Sequence, residues 1–134
     1  MIRLTEISEQ DIDLLYEILE ERKPEESITH IKKTTYEEHV IFVKSKPYSV
    51  WYMINQDDEK VGTIYLSQQD EVGIFIKKDF QKKGVGIMAL ELLIKKNPRK
   101  KFFANVNPKN FKSVQFFENF GFKLIQNTYE FTQK

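Results

Sequence analysis

Apolar and polar positions along the chain switch between a period of two and a helical period, and each switch marks an element. Ile2 to Ile7 alternates and reads as a first strand. Ser8 is a fitting N-cap, with Asp11 three residues on, for a helix to about Glu21 whose apolar face carries Ile12, Leu15, Ile18 and Leu19. Glu20 to Thr35 is a polar connection without clear period. Thr35-Tyr36-Glu37-Glu38 has capping-box form and starts a second helix to about Val43, with Pro47 closing that segment. Ser49 to Ile54 and Val61 to Leu66 alternate around Asn55 to Lys60, the pattern of an antiparallel hairpin. Gln68-Gln69-Asp70 then turns into Glu71 to Ile76, a short, apolar, β-branched run that fits a buried strand. Val85, Met88, Ala89, Leu92 and Leu93 fall at helical spacing, with Glu91 and Lys95 on the wet side and Asn97-Pro98 as the stop. Lys101 to Val106 predicts a strand, Asn110 to Phe120 a helix, and Phe122 to about Phe131 a final strand. The order is βααβββαβαβ. This is an α/β (α+β) arrangement: a mixed, mostly antiparallel sheet flanked by helices, with one later parallel pair.

Composition narrows the class. One hundred and thirty-four residues suit a single domain, 1–134, long enough to bury roughly two-thirds of its unfolded surface. With 40% hydrophobic residues, 31% charged and five glycines, disordered and fibrous classes drop out. A net charge of +1, from 21 basic and 20 acidic residues, argues against nucleic-acid binding as the main function. The absence of cysteine excludes a disulfide framework, a thiolate nucleophile and a cysteine-based zinc site. With no signal peptide and no apolar run of membrane length, a cytoplasmic protein without membrane association is expected.

The candidate chemistry sits between the strand ending at Ile76 and the helix opening at Val85. Lys77 to Lys83 holds four lysines in seven residues, and Gly84 and Gly86 follow. A helix N-terminus presents unpaired N–H groups and a partial positive charge, and glycines let a phosphate approach that backbone. The stretch reads as a pyrophosphate cradle, although such glycines also occur as plain turn chemistry. Two sharper motifs fail on spacing. Gly84-Val85-Gly86-Ile87-Met88-Ala89 has the form G-x-G-x-x-A, yet seven residues separate Ile76 from Gly84 and only 48 follow Gly86, too few for a dinucleotide fold. Neither glycine is followed by the Lys-Ser/Thr of a P-loop.

Gln81-Lys82-Lys83-Gly84-Val85-Gly86 resembles the Q/R-x-x-G-x-G/A motif of the GNAT superfamily of acetyl-CoA-dependent N-acyltransferases. A later segment resembles the same family's second motif: Asn107-Pro108-Lys109-Asn110, Ser113, Phe116-Phe117-Glu118 and Phe120-Gly121-Phe122. The resemblance covers residues 49 to 126 well and the N-terminal third by pattern only. It implies an N-acetyltransferase working by direct attack of a primary amine on the acetyl-CoA thioester in a ternary complex. It implies that acetyl-CoA, as co-substrate and without a metal, lies on Gln81, Lys82, Lys83, Gly84, Val85, Gly86 and Ile87. The pantetheine arm would pair with the edge of Ile74, Phe75 and Ile76 and touch Asn110 and Phe117. Asn110 has a second reading as the cap of its own helix. Glu71 is the candidate base, and a backbone N–H near Phe75–Ile76 the candidate oxyanion donor. Phe117 stands where many relatives carry a tyrosine that protonates the departing thiolate. Tyr129, Ser113 or a water are the substitutes, with Tyr129 the one named as catalytic.

His30, between the first two helices, and Trp51, on the hairpin, are the candidate acceptor contacts; His39 is expected in packing or solvent, and core is the default for Tyr48, Trp51 and Tyr52. The stretch from Thr29 to Tyr48 resembles family members of bacterial surface-sugar biosynthesis, which implies a nucleotide-linked amino sugar as acceptor. Protein N-termini and polyamines are the competing acceptors. A catalytically silent CoA-binding module and an interaction domain with incidental glycines are the competing classes. Thirteen residues follow Gly121, room for one strand where many relatives have two, so a homodimer that supplies the missing edge stands beside a monomer.

Overall fold

A computed structural model describes residues 1–22, 34–81 and 83–133. The elements are β1 (Ile2–Glu6), α1 (Ile12–Glu20), α2 (Tyr36–Lys44), β2 (Val50–Gln56), β3 (Glu59–Leu66), β4 (Val72–Ile76), α3 (Val85–Lys96) and α4 (Phe111–Phe120). One short 3₁₀ turn, Glu9–Asp11, leads into α1 and another, Lys78–Phe80, follows β4. The four strands form one antiparallel sheet in the order β1-β2-β3-β4.

Local chemistry accounts for most of these boundaries. Thr35 Oγ1 accepts from the Glu38 N–H at 3.2 Å while Glu38 Oε1 accepts from the Thr35 N–H at 2.9 Å, the reciprocal cap that the sequence predicts for α2. The Ser8 N–H donates to Asp11 Oδ2 at 2.9 Å, and the nearly buried Asp11 carboxylate also takes the Lys60 ammonium from β3. The β2–β3 connection tightens to Asp57-Asp58, with Asp57 at φ 55, a left-handed conformation that Asp tolerates. A bulge at Ile54/Asn55 turns Asn55 inward, where its amide donates to Thr5 Oγ1 at 2.9 Å.

Strand alternation divides the core by sheet face. Tyr52, Ile54, Ile64, Leu66 and Val72 pack with Val85, Ala89, Leu90 and Leu93 of α3 and with Phe117 of α4. On the other face Met53 packs with Ile12, Leu15 and Ile18 of α1 and Val43 of α2, flanked by Trp51 and Phe75. His39 is buried there, its Nε2 3.0 Å from the Ile12 carbonyl oxygen, a packing role.

Two expected strands differ. Residues 101–106 meet the sheet at a single parallel bridge: the Val72 N–H donates to the Phe103 carbonyl at 2.7 Å and the Phe103 N–H to the Asp70 carbonyl at 2.9 Å. Residues 122–133 form no strand: the Phe122 N–H closes the end of α4 on the Phe117 carbonyl at 2.9 Å, and beyond it no backbone among the described residues completes a ladder. Leu124, Ile125, Tyr129 and Phe131 are accordingly 78%, 70%, 88% and 90% exposed. Among the described residues the order is therefore βααβββαα, with the parallel pair reduced to that bridge.

Leu93 has no exposed surface in the α3 layer. Leu93→Ala should lower unfolding stability by about 2–5 kcal/mol at unchanged urea m-value, read from equilibrium denaturation.

Candidate functional site

β4 uses its two edges differently, and the hydrogen bonds at its ends fix which residue faces where. The Ser67 N–H donates to the Glu71 carbonyl at 2.9 Å and the Lys77 N–H to the Val61 carbonyl at 2.8 Å. Residues 71, 73, 75 and 77 therefore direct their backbone groups to β3, and 72, 74 and 76 direct theirs outward. On the outer edge the Val72 N–H is taken by Phe103 and the Ile76 carbonyl by the Gln81 side-chain amide at 2.8 Å. The Ile74 N–H, the Ile74 carbonyl and the Ile76 N–H have no partner among the described residues. The pairing with residues 101–106 ends at its first rung, and past it β4 presents an edge that an extended arm can join. Phe75, expected in that edge, turns its N–H to β3; Ile74 and Ile76 carry the open donors.

At the far end of β4 the chain enters α3 through Gly84, which sits at φ 78, ψ 2, a left-handed conformation that favours glycine. Its carbonyl accepts the first helical bond, from the Met88 N–H at 3.2 Å, and no side chain caps the helix. The N–H groups of Val85, Gly86 and Ile87 are the open donors of that first turn. A Cβ on Gly84 would meet nothing within 4 Å, so the demand there is conformational. Gly86 differs: a Cβ there would lie 2.9 Å from the Phe116 ring, which packs on it. Lys83 stands beside the loop with its ammonium 5.9 Å from the Phe80 ring centroid. Lys82 and His30 lie outside the described residues.

The start of β4 carries the carboxylate. Glu71 is partly buried, with Oε1 accepting from Ser67 Oγ at 3.1 Å and Oε2 from Asn105 Nδ2 at 2.7 Å. Both donors are neutral, and together they fix the orientation of the carboxyl group. Asp70 pairs instead with Arg99 Nε at 3.0 Å. Glu71, Gly73 and Phe75 share the face of the sheet that carries α1 and α2.

That face holds an aromatic wall. Tyr48 and Tyr65 stack with centroids 3.7 Å apart, and Trp51 meets them edge-on at 4.8 and 6.4 Å. Trp51 Nε1–H donates to Thr63 Oγ1 at 2.7 Å, and the Thr63 hydroxyl donates to the Tyr52 carbonyl at 2.8 Å, which holds the indole. Tyr65 reaches over β4: a Cβ on Gly73 would lie 1.9 Å from its Cζ and 2.3 Å from its hydroxyl oxygen. Burial, and after it the adjacent Tyr65 phenol, raises the Tyr48 hydroxyl above its ordinary range, so Tyr48 stays protonated. Tyr48 and Trp51 also line an open cleft of about 730 Å³ with Glu6, Glu9 and Lys44, to which β4 contributes no residue.

Three expected site residues lie elsewhere or serve a second purpose. Phe117 is 7% exposed and packs edge-on against Phe116 and Phe122 in the α3-side core; Phe116 is the ring that approaches the loop. Tyr129 lies in the exposed terminal segment, and no contact brings it to β4. Asn110 caps α4, accepting from the Ser113 N–H at 3.3 Å. Tyr65 and Phe116 escape a reading of the sequence. Tyr65 looks like one more alternating hairpin residue until the register sets it opposite Gly73.

Comparison with known proteins supplies the context. The family model described as acetyltransferase (GNAT) family matches residues 12–122. The peptidyl-lysine N-acetyltransferase YjaB of Escherichia coli (strain K12) is 33% identical over 75 residues, which is 56% of this chain and 50% of that protein. The match thus spans half the length of that curated relative. A solved domain from Methanocaldococcus jannaschii DSM 2661 aligns with TM-score 0.83 and 25% identity, covering 97% of this chain and 93% of that one. The aminoglycoside N-acetyltransferase AAC(6')-Iy, solved in complex with CoA, aligns with TM-score 0.74 at 12% identity, covering 100% and 95% of the two chains; it shows a shared fold.

Because Gly84 is left-handed in open space, Gly84→Ala should cost about 1 kcal/mol through backbone strain alone. A lowered thermal midpoint with an unchanged circular dichroism spectrum checks this.

Proposed function

The chain belongs to the acetyltransferase (GNAT) family, and from that premise we propose that it transfers an acetyl group from acetyl-CoA to a primary amine, within a ternary complex, as one domain over 1–134. The observation that carries this reading is the outer edge of β4, open from Ile74 to Ile76 and leading straight to the uncapped first turn of α3. A pyrophosphate suits the N–H groups of Val85, Gly86 and Ile87, with Lys83 and Lys82 adding positive potential. The pantetheine arm suits the Ile74 and Ile76 edge, and the open N–H groups there also serve the oxyanion that develops on the thioester carbonyl. Gln81 secures the loop to β4 through Ile76 rather than offering its amide to the ligand.

An aliphatic amine is protonated near neutral pH and attacks only after losing a proton. Glu71, fixed by Ser67 and Asn105 at the start of the same strand, is the base we assign. The ε-amine of a peptidyl lysine is our first acceptor, since that is the substrate class in the name of the relative from Escherichia coli. The nucleotide-linked amino sugar ranks second, because it rests on the likeness of Thr29 to Tyr48 alone, of which residues 29–33 lie outside the described residues. A second subunit is not required by any of these roles, and both monomer and homodimer agree with them. No helix among the described residues is long and apolar enough to cross a membrane.

Calorimetric titration of acetyl-CoA should give micromolar affinity, and Gly84→Glu, which adds a carboxylate where the pyrophosphate is assigned, should abolish it. Absence of heat and of any thermal shift with the unaltered protein would remove the acetyl-CoA reading. Glu71→Gln should lower kcat by roughly 100-fold with an aliphatic amine while leaving the acetyl-CoA affinity unchanged. Equal kcat values would take the base role away from Glu71.

A further inference from the structure

We propose that Tyr65 donates the proton to the departing thiolate, the role for which Phe117 has no hydroxyl and from which it is turned away in the core. The inference rests on the acetyl-transfer reading given above. Four observations lead to it. Gly73 and Tyr65 are directly opposed in the β3–β4 register. The Tyr65 ring crosses onto β4 so closely that a Gly73 Cβ would lie 2.3 Å from its hydroxyl oxygen. The next residue, Ile74, carries an outward backbone N–H, with its Cα about 3.8 Å farther along the chain. Glu71 is two residues the other way on the same face, about 7 Å along the strand. A carboxylate, a phenol and an open N–H thus line one short stretch of β4, close enough together to serve one thioester and its attacking amine.

The wall behind Tyr65 serves this role. Tyr48 is stacked parallel on it at 3.7 Å, with an interplanar angle of 5°, and Trp51 braces both rings from its bond to Thr63. The phenol is therefore held in one orientation by packing. Gly73 is small because the ring needs its space; any side chain there displaces the hydroxyl from β4.

The step balances as follows. Glu71 takes the first proton from the ammonium and releases it to water; the freed nitrogen lone pair then forms the new C–N bond, and Glu71 takes the second proton that nitrogen gives up. The C–S bond breaks with its electron pair on sulfur. The Tyr65 O–H proton passes to that sulfur, giving the free thiol, and the phenolate regains a proton through water as Glu71 releases the one it holds.

Tyr65→Phe deletes one oxygen from a packed ring, and Gly73→Ala keeps that oxygen but pushes it away. Both variants would be measured for transfer to lysine peptide, spermidine or glucosamine, whichever the unaltered protein acetylates, together with acetyl-CoA titration and thermal melts. We expect Tyr65→Phe to lower kcat by roughly 100-fold at unchanged KM for acetyl-CoA, unchanged affinity and unchanged melting midpoint, with Gly73→Ala also losing kcat. Unaltered kcat in Tyr65→Phe would overturn the assignment while leaving the transferase reading intact. Losses that appear in affinity or melting midpoint in proportion to kcat would make Tyr65 a structural residue and also overturn it. Binding of acetyl-CoA without transfer to any amine by the unaltered protein would remove the transferase reading itself, and the role of Tyr65 with it.

Discussion

The site depends on an imbalance in one strand. β4 is paired along its whole length to β3, yet on its other edge, among the described residues, a single bridge closes it, at Phe103. Backbone donors and acceptors withdrawn from water require partners. The chain satisfies two of the outward groups itself, through Phe103 and through the Gln81 amide, and among the described residues the Ile74 N–H, the Ile74 carbonyl and the Ile76 N–H stay unpaired. Everything else is arranged around that open interval. The left-handed Gly84 starts the helix at one end, and the Ser67–Asn105 clamp orients Glu71 at the other.

Much of this was legible in the sequence because it is local. The capping box at Thr35, the helical spacing after Val85, the alternation on either side of the hairpin turn and the stop at Asn97-Pro98 are each written in a few adjacent residues, and each element forms where they put it. The glycines of the loop were also legible as a pair, but not their separate reasons. Gly84 answers to its own backbone angle, whereas Gly86 answers to Phe116, a ring thirty residues along the chain.

What the sequence hides is set by register and by partners. Alternation in residues 122–131 suggests a strand, but a strand exists only where another backbone completes its ladder. The two phenylalanines at 116 and 117 are equivalent as text, and the phase of α4 decides which one reaches the loop and which is enclosed. Tyr65 is the plainest case. Nothing around it in the sequence distinguishes it from its hairpin neighbours. It gains its place only when three strands align and a glycine falls opposite.

The single rung at Phe103 and the turn at Gly84 are both fixed points, and β4 is the rigid piece between them. From Glu71 to Ile76 the strand rises about 17 Å, at roughly 3.4 Å per residue. The strand is thus a ruler. Under the acetyl-transfer reading proposed above, a donor with its anionic group on the first turn of α3 and its reactive bond at the open Ile74 edge would have to hold that spacing in one extended arm. Donor selection would then be a matter of length, without a pocket shaped to the acyl group.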